Sequence, residues 1–372
     1  MKVFDYMRKY GHEEVVLCHD EASGLRAIIA LHDSTLGPPN GGTRRWVYKS
    51  EDEAIEDALR LARSQSYKQA AAGLNGGGGK GVIMVDSMEQ NSEELYRAYG
   101  KFVESLGGRF ITGEDVGTGD LELRYISMET NYVVGLPEMR VGVPADYGNI
   151  MPTALGTLCG MKACAKKAYG SDSLKGKVIA LQGLGKVGYL MVNLLRKEEA
   201  KLIVTDIEDE LVKRVLGKDV TPVAPKEIYG VNCDIFCPCA MGAILNDDTI
   251  PQLKCQIVAG SANNQLKEDK HGDELHRRKI VYAPDVIINA GGAIDFLDAM
   301  TYGGEYSYRR SRASVEHIYD RIYGILERSE RENIPTYKIA TMIAEERINK
   351  YKAIHDLRPE RSKAIRAGFG KT

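Results

Sequence analysis

Apolar residues in the first third of the chain follow two alternating patterns. Residues 25–31 and 82–85 form short continuous apolar runs, which predict buried strands. Residues 50–62 and 92–106 instead place apolar side chains three or four positions apart, so each predicts a helix with one buried face. Ser50 and the glutamate three positions later have capping-box spacing, which indicates that the first of these helices begins there.

The second half of the chain changes to a strand–helix–strand pattern from Lys177 onwards. Residues 178–181 form an apolar strand, a helix is expected from Gly185, and the next strand follows at residues 202–205. Further strands are predicted at residues 234–236, 256–259 and 280–282, and the chain beyond Arg309 is predicted to be helical to near Ala353. Strands that alternate with helices predict a parallel sheet.

A stretch rich in glycine, proline and asparagine lies between the two patterns, at residues 136–152, and predicts a linker. The chain has 372 residues, which is more than one ordinary hydrophobic core holds. The predicted fold is therefore α/β with two domains.

A GxGxxG motif stands at the start of the second pattern, formed by Gly183, Leu184, Gly185, Lys186, Val187 and Gly188. The motif alone is weak, but here it follows a strand, begins a helix and precedes a second strand that ends at Asp206. This context is the Rossmann fingerprint, in which the glycines let the backbone approach a pyrophosphate at the helix N-terminus. The alternative is a structural role, in which the glycines form a tight strand–helix turn that binds no ligand.

Asp206 also predicts which dinucleotide binds. A carboxylate at this position accepts hydrogen bonds from the ribose hydroxyls of the adenosine and repels a 2′-phosphate. Ile207, Glu208 and Asp209 follow, with no arginine to receive a phosphate. We therefore expect NAD rather than NADP.

Charge and composition exclude several classes of protein. The net charge is −2, with 43% hydrophobic and 27% charged residues, which gives no electrostatic reason to bind nucleic acid or an acidic membrane. No apolar run approaches the roughly 18 residues that a membrane-spanning helix needs. The first residues lack the apolar core of a signal peptide. We expect a cytoplasmic protein without nucleic-acid or membrane partners.

The seven cysteines are too sparse for a disulfide framework, and their number is odd. Cys233, Cys237 and Cys239 lie close together in the sequence, but no histidine or CxxC pair accompanies them. We expect buried thiols and no metal site.

Lys80 follows a run of four glycines in residues 74–81. A phosphate-binding P-loop is excluded, because that motif needs glycine where Leu74 stands and serine or threonine where Gly81 stands. Two interpretations stay open at this point. One is a surface turn with a solvated lysine. The other is a loop held near the core, whose partly desolvated lysine acts as a base.

A series of longer motifs runs along nearly the whole chain in one order. They are Leu36-Gly37-Pro38, Gly41-Gly42-Thr43-Arg44, Tyr67-Lys68, Gly77-Gly78-Gly79-Lys80, Glu114-Asp115-Val116-Gly117-Thr118, Gln182-Gly183-Leu184-Gly185, Pro238-Cys239-Ala240, Gly260-Ser261-Ala262-Asn263-Asn264-Gln265 and Asn289-Ala290-Gly291-Gly292. In these motifs the sequence resembles the Glu/Leu/Phe/Val dehydrogenase family, in particular its leucine and phenylalanine dehydrogenase branch.

The resemblance implies a role for several residues. Lys80 matches the catalytic lysine that activates water, and Asp115 matches the aspartate that binds the amino group and moves protons. Lys68 matches the lysine that holds the substrate carboxylate, helped by the backbone near Gly41 and Gly42. Thr153, Cys239, Ala240, Asn263 and Asn289 match positions that line the cofactor.

The resemblance also implies the domain organisation. Residues 1–148, completed by C-terminal helices at about 335–372, would form an α/β substrate domain. Residues 149–334 would form the Rossmann-type NAD-binding domain, with a cleft between the two. Relatives form closed oligomers, so we expect a homo-oligomer by analogy.

The sequence departs from the branch where the substrate side chain is expected. The matching positions near that side chain are Asn40, Gln65, Gly113, Ala293 and Phe296. Relatives usually have Leu at the position of Asn40 and Met at that of Gln65, and they have Val or Leu and then Val at those of Ala293 and Phe296. A buried side-chain amide without a hydrogen-bond partner destabilises a protein by roughly 1–3 kcal/mol, so we expect a polar atom of the substrate to bond to these amides. The alternative is drift, with water filling the gap.

The sequence thus predicts an NAD-dependent enzyme that converts an L-α-amino acid into its 2-oxo acid and ammonia, and the reverse, with a substrate other than plain leucine. One alternative is the same oxidation of an unusual amino acid in a specialised pathway. Another is an NAD-binding regulator without activity, which the loss of Lys80 or Asp115 would have favoured; both residues are present.

Overall fold

The computed structural model describes residues 1–136, 150–301 and 306–355. The chain forms two compact units, of which unit 1 comprises Met1–Gly142, Phe296–Ser307 and Ala344–Thr372, and unit 2 comprises Val143–Asp295 and Tyr308–Ile343. The centre of the predicted linker and the predicted boundary after residue 148 lie outside the described residues. The predicted C-terminal segment beyond residue 355 lies outside them as well.

Unit 1 is built on a mixed sheet. Its elements up to residue 136 are α1 (Val3–Tyr10), β1 (Glu14–Asp20), β2 (Leu25–Asp33), β3 (Pro39–Trp46), α2 (Glu51–Ala71), β4 (Gly77–Met84), α3 (Glu93–Ser105), β5 (Ile111–Glu114) and α4 (Asp120–Ser127). The helix α2 begins at Ser50 as expected, because the Ser50 side chain accepts a hydrogen bond from the backbone N–H of Glu53.

The strand order in this sheet is β1-β2-β4-β3-β5. The pairs β1–β2 and β2–β4 are antiparallel, whereas β3 runs parallel to both β4 and β5. The strand β3 therefore lies between β4, the central strand that carries Lys80, and β5, the edge strand that leads to Asp115. Apolar side chains cover both faces of the sheet, with Tyr96, Tyr99 and Phe110 among the largest that are fully buried.

The glycine-rich segment before Lys80 is not a loop, as the sequence suggested, but the first half of the buried strand β4. Glycine has a low strand propensity, so the local pattern indicated a turn. The strand forms because its neighbours come too close for side chains: a Cβ on Gly78 would overlap Ser66 of α2, and a Cβ on Gly79 would lie 2.7 Å from the Phe110 ring. Close packing, rather than flexibility, accounts for these glycines.

Unit 2 alternates strands and helices. Its elements, together with two helices that also contribute to unit 1, are α5 (Met151–Tyr169), β6 (Val178–Gln182), α6 (Lys186–Lys197), β7 (Lys201–Thr205), α7 (Asp209–Lys213), β8 (Val220–Pro222), β9 (Ile235–Pro238), β10 (Ile257–Val258), α8 (Asp269–Arg277), β11 (Val281–Tyr282), α9 (Asp285–Ile288), α10 (Gly291–Thr301), α11 (Tyr308–Glu316), α12 (Ile318–Glu332) and α13 (Thr336–His355). Short 3₁₀ helices lie at Ile228–Gly230 and Ile250–Gln252.

The sheet of unit 2 has six strands in the order β11-β10-β9-β6-β7-β8, and every neighbouring pair is parallel. This is the parallel sheet that the alternating pattern predicted, with the order reversing beside β6. The predicted fold class, a two-domain α/β protein with a Rossmann-type domain, is confirmed. None of the helices in the described ranges combines the length and apolar character that crossing a bilayer requires.

Candidate active site

Buried Lys80 and half-buried Asp115 form an ion pair in unit 1. The Nζ atom of Lys80 lies 3.0 Å from Oδ2 of Asp115, and the two side chains are 8% and 24% exposed. Lys80 lies within β4, whereas Asp115 is the first residue after β5. The backbone N–H of Asp115 donates to Oγ1 of Thr118, whose hydroxyl donates in turn to the carbonyl of Thr43 on β3. This turn fixes the aspartate beside β3.

A third charged side chain, Arg44 on β3, completes the cluster. Its Nε atom donates to Oδ2 of Asp115 at 2.9 Å, and its Nη1 atom donates to Oδ2 of Asp57 on α2, also at 2.9 Å. The hydroxyl of Tyr48 donates to the same Asp57 oxygen at 2.8 Å. Arg44 belongs to one of the motifs that carry the family resemblance, but the sequence indicates no role for it. Nothing local in the sequence indicates the pairings of Asp57 and Tyr48.

The pKa values of the pair follow from burial and from these neighbours. Burial raises the pKa of the Asp115 carboxyl, but the adjacent Lys80 and Arg44 cations outweigh it, so the net shift is downward. Burial lowers the pKa of the Lys80 amine, and the Arg44 guanidinium lowers it further, against the opposing effect of Asp115. The site thus holds an ionised carboxylate beside a lysine that loses its proton more readily than usual.

Two glycines of β3 lie directly against this pair. A Cβ on Gly42 would lie 2.9 Å from Cβ of Asp115, and a Cβ on Gly41 would lie 3.7 Å from the backbone nitrogen of Lys80. Lys68, the predicted carboxylate-binding lysine, lies half-buried on α2. The next residue, Gln69, hydrogen-bonds to Asn40, the neighbour of Gly41. The predicted substrate-binding residues Gly41 and Gly42 therefore lie beside Lys80 and Asp115. The residue that follows Lys68 is hydrogen-bonded to the residue that precedes the glycine pair.

The structure corrects the interpretation of Asn40. Its side chain is fully buried, but it does not lack partners: the amide N–H groups donate to the carbonyls of Pro38 and Gly77, each at 3.2 Å, and Oδ1 accepts from the Gln69 amide. The prediction that Asn40 needs a polar substrate atom as its partner is therefore wrong. The sequence could not reveal this, because Gln69 belongs to another element.

The other predicted side-chain positions fall into both units. Gln65 is half-buried on α2. In unit 1, Gly113 and Phe296 are in contact, because a Cβ on Gly113 would lie 2.9 Å from the Phe296 ring. Phe296 packs with Ile111 and other apolar residues of that unit. Ala293 lies half-buried on α10 in unit 2.

The GxGxxG segment of unit 2 has the geometry of a phosphate cradle. Gly183 has φ of +93°, and a Cβ there would lie 2.8 Å from Ala240, while a Cβ on Gly188 would overlap the carbonyl of Gly183. A Cβ on Gly185, in contrast, would meet no atom within 4 Å. The loop is thus tight at both ends and open at the N-terminus of α6, where exposed Lys186 begins the helix. A pyrophosphate fits this space.

Asp206 follows β7 beside this loop. Its Oδ2 atom accepts from the backbone N–H of Leu184 at 2.6 Å, and Oδ1 accepts from the N–H of Glu208 at 3.0 Å. These bonds fix the carboxylate next to the glycine segment. Ile207, the next residue, is 87% exposed. As an apolar side chain it offers no positive charge beside the Asp206 carboxylate.

Other predicted cofactor-lining residues of unit 2 lie near one another. The Asn289 amide donates to Oδ1 of Asn263 at 2.7 Å, but its own buried Oδ1 meets no donor from the part of the chain that is described. The Cys239 backbone N–H donates to the carbonyl of Gln182. A Cβ on Gly292 would lie 3.0 Å from Oγ1 of Thr153. The side-chain oxygen Oδ1 of Asn289 could accept a hydrogen bond from a ligand.

One group of possible metal ligands, Asp247, Glu268 and His271, lies elsewhere in unit 2. The ammonium of Lys270 lies 2.9 Å from the Asp247 carboxylate and 3.6 Å from that of Glu268. These carboxylates therefore already have a cation beside them. Cys237 and Cys239 place their sulfur atoms 3.6 Å apart, and all seven cysteines are free thiols.

The chain matches two protein-family models. Residues 12–132 match the family model described as Glu/Leu/Phe/Val dehydrogenase, dimerisation domain, and residues 204–352 match that described as Glutamate/Leucine/Phenylalanine/Valine dehydrogenase.

Leucine dehydrogenase of Geobacillus stearothermophilus is 54% identical over 353 residues, which are 94% of each chain. Phenylalanine dehydrogenase of Lysinibacillus sphaericus is 46% identical over 335 residues, 88% of this chain and 86% of the other. Among solved structures, the L-tryptophan dehydrogenase of Nostoc punctiforme superposes with a TM-score of 0.79 at 42% identity. It covers 94% of this chain and 99% of its own.

Proposed function

Because the chain belongs to the Glu/Leu/Phe/Val dehydrogenase family, whose members act on the CH–NH₂ group of amino acids, we propose that it catalyses the NAD-dependent oxidative deamination of an L-α-amino acid. The reaction consumes water and NAD⁺ and yields a 2-oxo acid, ammonia, NADH and a proton. The reverse reaction is the reductive amination of the 2-oxo acid. The observation that carries the proposal is the buried Lys80–Asp115 pair.

The residues of unit 1 account for the proton transfers. The Lys68 ammonium binds the substrate carboxylate and sets the orientation of Cα. Asp115, as a carboxylate, accepts a hydrogen bond from the substrate amino group and takes up a proton from its nitrogen. Lys80 in its neutral form removes the proton from the water that attacks the iminium carbon. Its lowered pKa makes that neutral form available nearer to neutral pH.

Family members use NAD(H), and the GxGxxG segment, Asp206 and Asn289 of this chain fit such a dinucleotide. When bound, NAD⁺ supplies the acceptor for the hydride that leaves Cα. The open space at Gly185 takes the pyrophosphate at the start of α6. Asp206 accepts from the adenosine ribose and disfavours a 2′-phosphate, so we propose NAD in preference to NADP.

We propose a substrate other than plain leucine. The support comes from the positions that match the side-chain pocket of the branch, since Gln65 and Phe296 differ from the usual residues in polarity and size, and Phe296 packs against Gly113. Oxidation of an unusual amino acid in a specialised pathway is a narrower form of the same proposal. We also propose a homo-oligomer, because the matched N-terminal model is described as a dimerisation domain. The cytoplasmic location expected from the sequence stays a prediction.

The test is an assay of NADH absorbance with the purified protein. The common L-amino acids, together with polar and aromatic analogues, are offered with NAD⁺ and separately with NADP⁺. The proposal requires NAD-dependent turnover of at least one L-amino acid with stoichiometric ammonia, and no turnover of its D-enantiomer when that is offered in the same assay. A protein that oxidises none of them, or one that prefers leucine to every other substrate, contradicts the reaction or the substrate proposal respectively.

A further inference from the structure

Arg44 links the candidate catalytic pair to a second carboxylate on α2. Its Nε atom and the Nζ atom of Lys80 reach the same oxygen, Oδ2 of Asp115, at 2.9 and 3.0 Å. Its Nη1 atom reaches Asp57 at 2.9 Å. The Arg44 side chain is 23% exposed and Asp57 is 14% exposed, so little solvent screens these contacts.

This arrangement leaves the two oxygens of Asp115 unequal. Both cations lie on Oδ2, and no donor from the described parts of the chain is bonded to Oδ1. A guanidinium presents its donors in a rigid planar fork, so the Arg44 bond to Asp57 restricts the direction from which it meets Asp115. The orientation of the aspartate is therefore set from the side of α2.

We propose that Arg44, anchored by Asp57, is a positioning residue that holds Oδ2 of Asp115 against Lys80 and thereby leaves Oδ1 to receive the substrate amino group. The inference rests on the proposed function, in which Asp115 binds that group. The hydrogen bonds of Arg44 go to Asp115 and Asp57. Arg44 acts through Asp115 and through its charge.

The charge of Arg44 has a second consequence, for Lys80. The groups that face Lys80 are Asp115 after β5, Arg44 on β3 and Asp57 on α2, with burial as the strongest influence. Burial and Arg44 lower the Lys80 pKa, while the two carboxylates raise it. If Arg44 loses its charge, both carboxylates remain, and the Lys80 pKa must rise. Tyr48 and Arg60 complete the set through their bonds to Asp57.

The variants separate charge from geometry. Arg44→Gln removes both the charge and the fork. Arg44→Lys keeps the charge but offers a single ammonium, which cannot hold the two carboxylates in the same planar geometry. Arg60→Gln is the matched control: it also removes a positive charge that contacts Asp57, at 3.0 Å, but Arg60 is 55% exposed and has no bond to Asp115.

The Lys80 pKa is measured without reference to activity. The full-length protein is labelled with trace acetic anhydride across a pH series, and the acetylated fraction of Lys80 is quantified by mass spectrometry. We expect the Arg44→Gln titration to lie about one pH unit above wild type, the scale on which a neighbouring charge shifts a pKa. Arg44→Lys should titrate close to wild type, and Arg60→Gln should shift by less than half as much as Arg44→Gln. Equal titrations in wild type and Arg44→Gln would overturn the electrostatic part.

The positioning part is tested by kinetics with the best substrate. Arg44→Lys should lower kcat at least about 10-fold, although its Lys80 titration is unchanged, because Asp115 is no longer held. Wild-type kcat in Arg44→Lys overturns it, and this variant also serves if Arg44→Gln does not fold. Failure of the proposed function is seen separately, as absence of amino-acid oxidation by the wild-type protein, and it leaves the labelling comparison intact.

Discussion

The Nζ atom of Lys80 lies 3.0 Å from Oδ2 of Asp115, and both side chains are held within one sheet by the strand β3 between them. In an ion pair with a purely structural role, the carboxylate would raise the pKa of the lysine. Here burial and Arg44 lower the pKa of Lys80 despite its partner, which fits a group that gains and loses protons. The lack of a side chain at Gly42 lets β3 lie next to Asp115.

The pH dependence of deamination follows from the Lys80 pKa. Only the neutral amine accepts a proton, so kcat/KM should rise with pH as the lysine deprotonates and then become constant. Because the pKa is lowered, the midpoint of the rise should lie below the ordinary lysine value of 10.5. Steady-state rates over a pH series with a non-sticky substrate measure this rise. A rate that is flat from neutral to alkaline pH, with chemistry shown to limit turnover, would argue against a titrating lysine.

Asn40→Leu tests the corrected view of Asn40. The change removes the side chain that bonds to Pro38, Gly77 and Gln69, and it leaves the buried Gln69 amide and the Gly77 carbonyl without this partner. We expect a loss of unfolding free energy of about 1–3 kcal/mol, measured by urea denaturation, and no gain for leucine as a substrate. Gln65→Met, at a half-buried position of the same helix as Gln69, should cost less stability. A fully stable Asn40→Leu protein with improved leucine turnover would restore the substrate-contact interpretation.

Gly113→Ala tests the contact with Phe296. The new methyl group would lie 2.9 Å from the ring, so the ring must move, which alters the pocket wall. We expect the kcat/KM values of bulky and small substrates to change by different factors. In Gly113→Ala/Phe296→Leu the smaller side chain should relieve the conflict, giving a coupling of about 0.5–3 kcal/mol in a double-mutant cycle. Additive effects would show that the two residues do not share one wall.

Asp206→Ala tests cofactor choice. Loss of the carboxylate should weaken NAD binding and remove the repulsion of a 2′-phosphate, so the ratio of kcat/KM for NAD to that for NADP should fall. The Leu184 N–H also loses its acceptor, so thermal unfolding serves as a control for damage to the loop. A wild-type protein that already prefers NADP would contradict the assignment of Asp206.

The nucleotide-binding half was predictable because its signals are local. Gly183, Gly185 and Gly188 lie between a strand and a helix that are themselves legible from periodicity, and Asp206 ends the next strand. Backbone geometry at such a turn demands glycine, as the positive φ of Gly183 illustrates. The sequence therefore predicts both the element and its chemistry.

The substrate half was only partly predictable because its contacts join distant segments. The parallel pairing of β3 and β5 brings Arg44 to Asp115, and Asn40 on β3 is hydrogen-bonded to Gln69 on α2. No local period encodes these pairs. The glycines before Lys80 likewise indicate a turn when viewed alone, and only the approach of α2 and Phe110 explains why they form a strand.

Replacement of Lys80 by alanine tests the central claim most directly. The measurement is kcat for the best amino acid at the pH plateau, with NADH binding followed by fluorescence to confirm an intact nucleotide site. We expect kcat to fall at least about 100-fold while NADH binds as in wild type. A Lys80→Ala protein that turns over the amino acid at a near-normal rate would remove Lys80 from the mechanism.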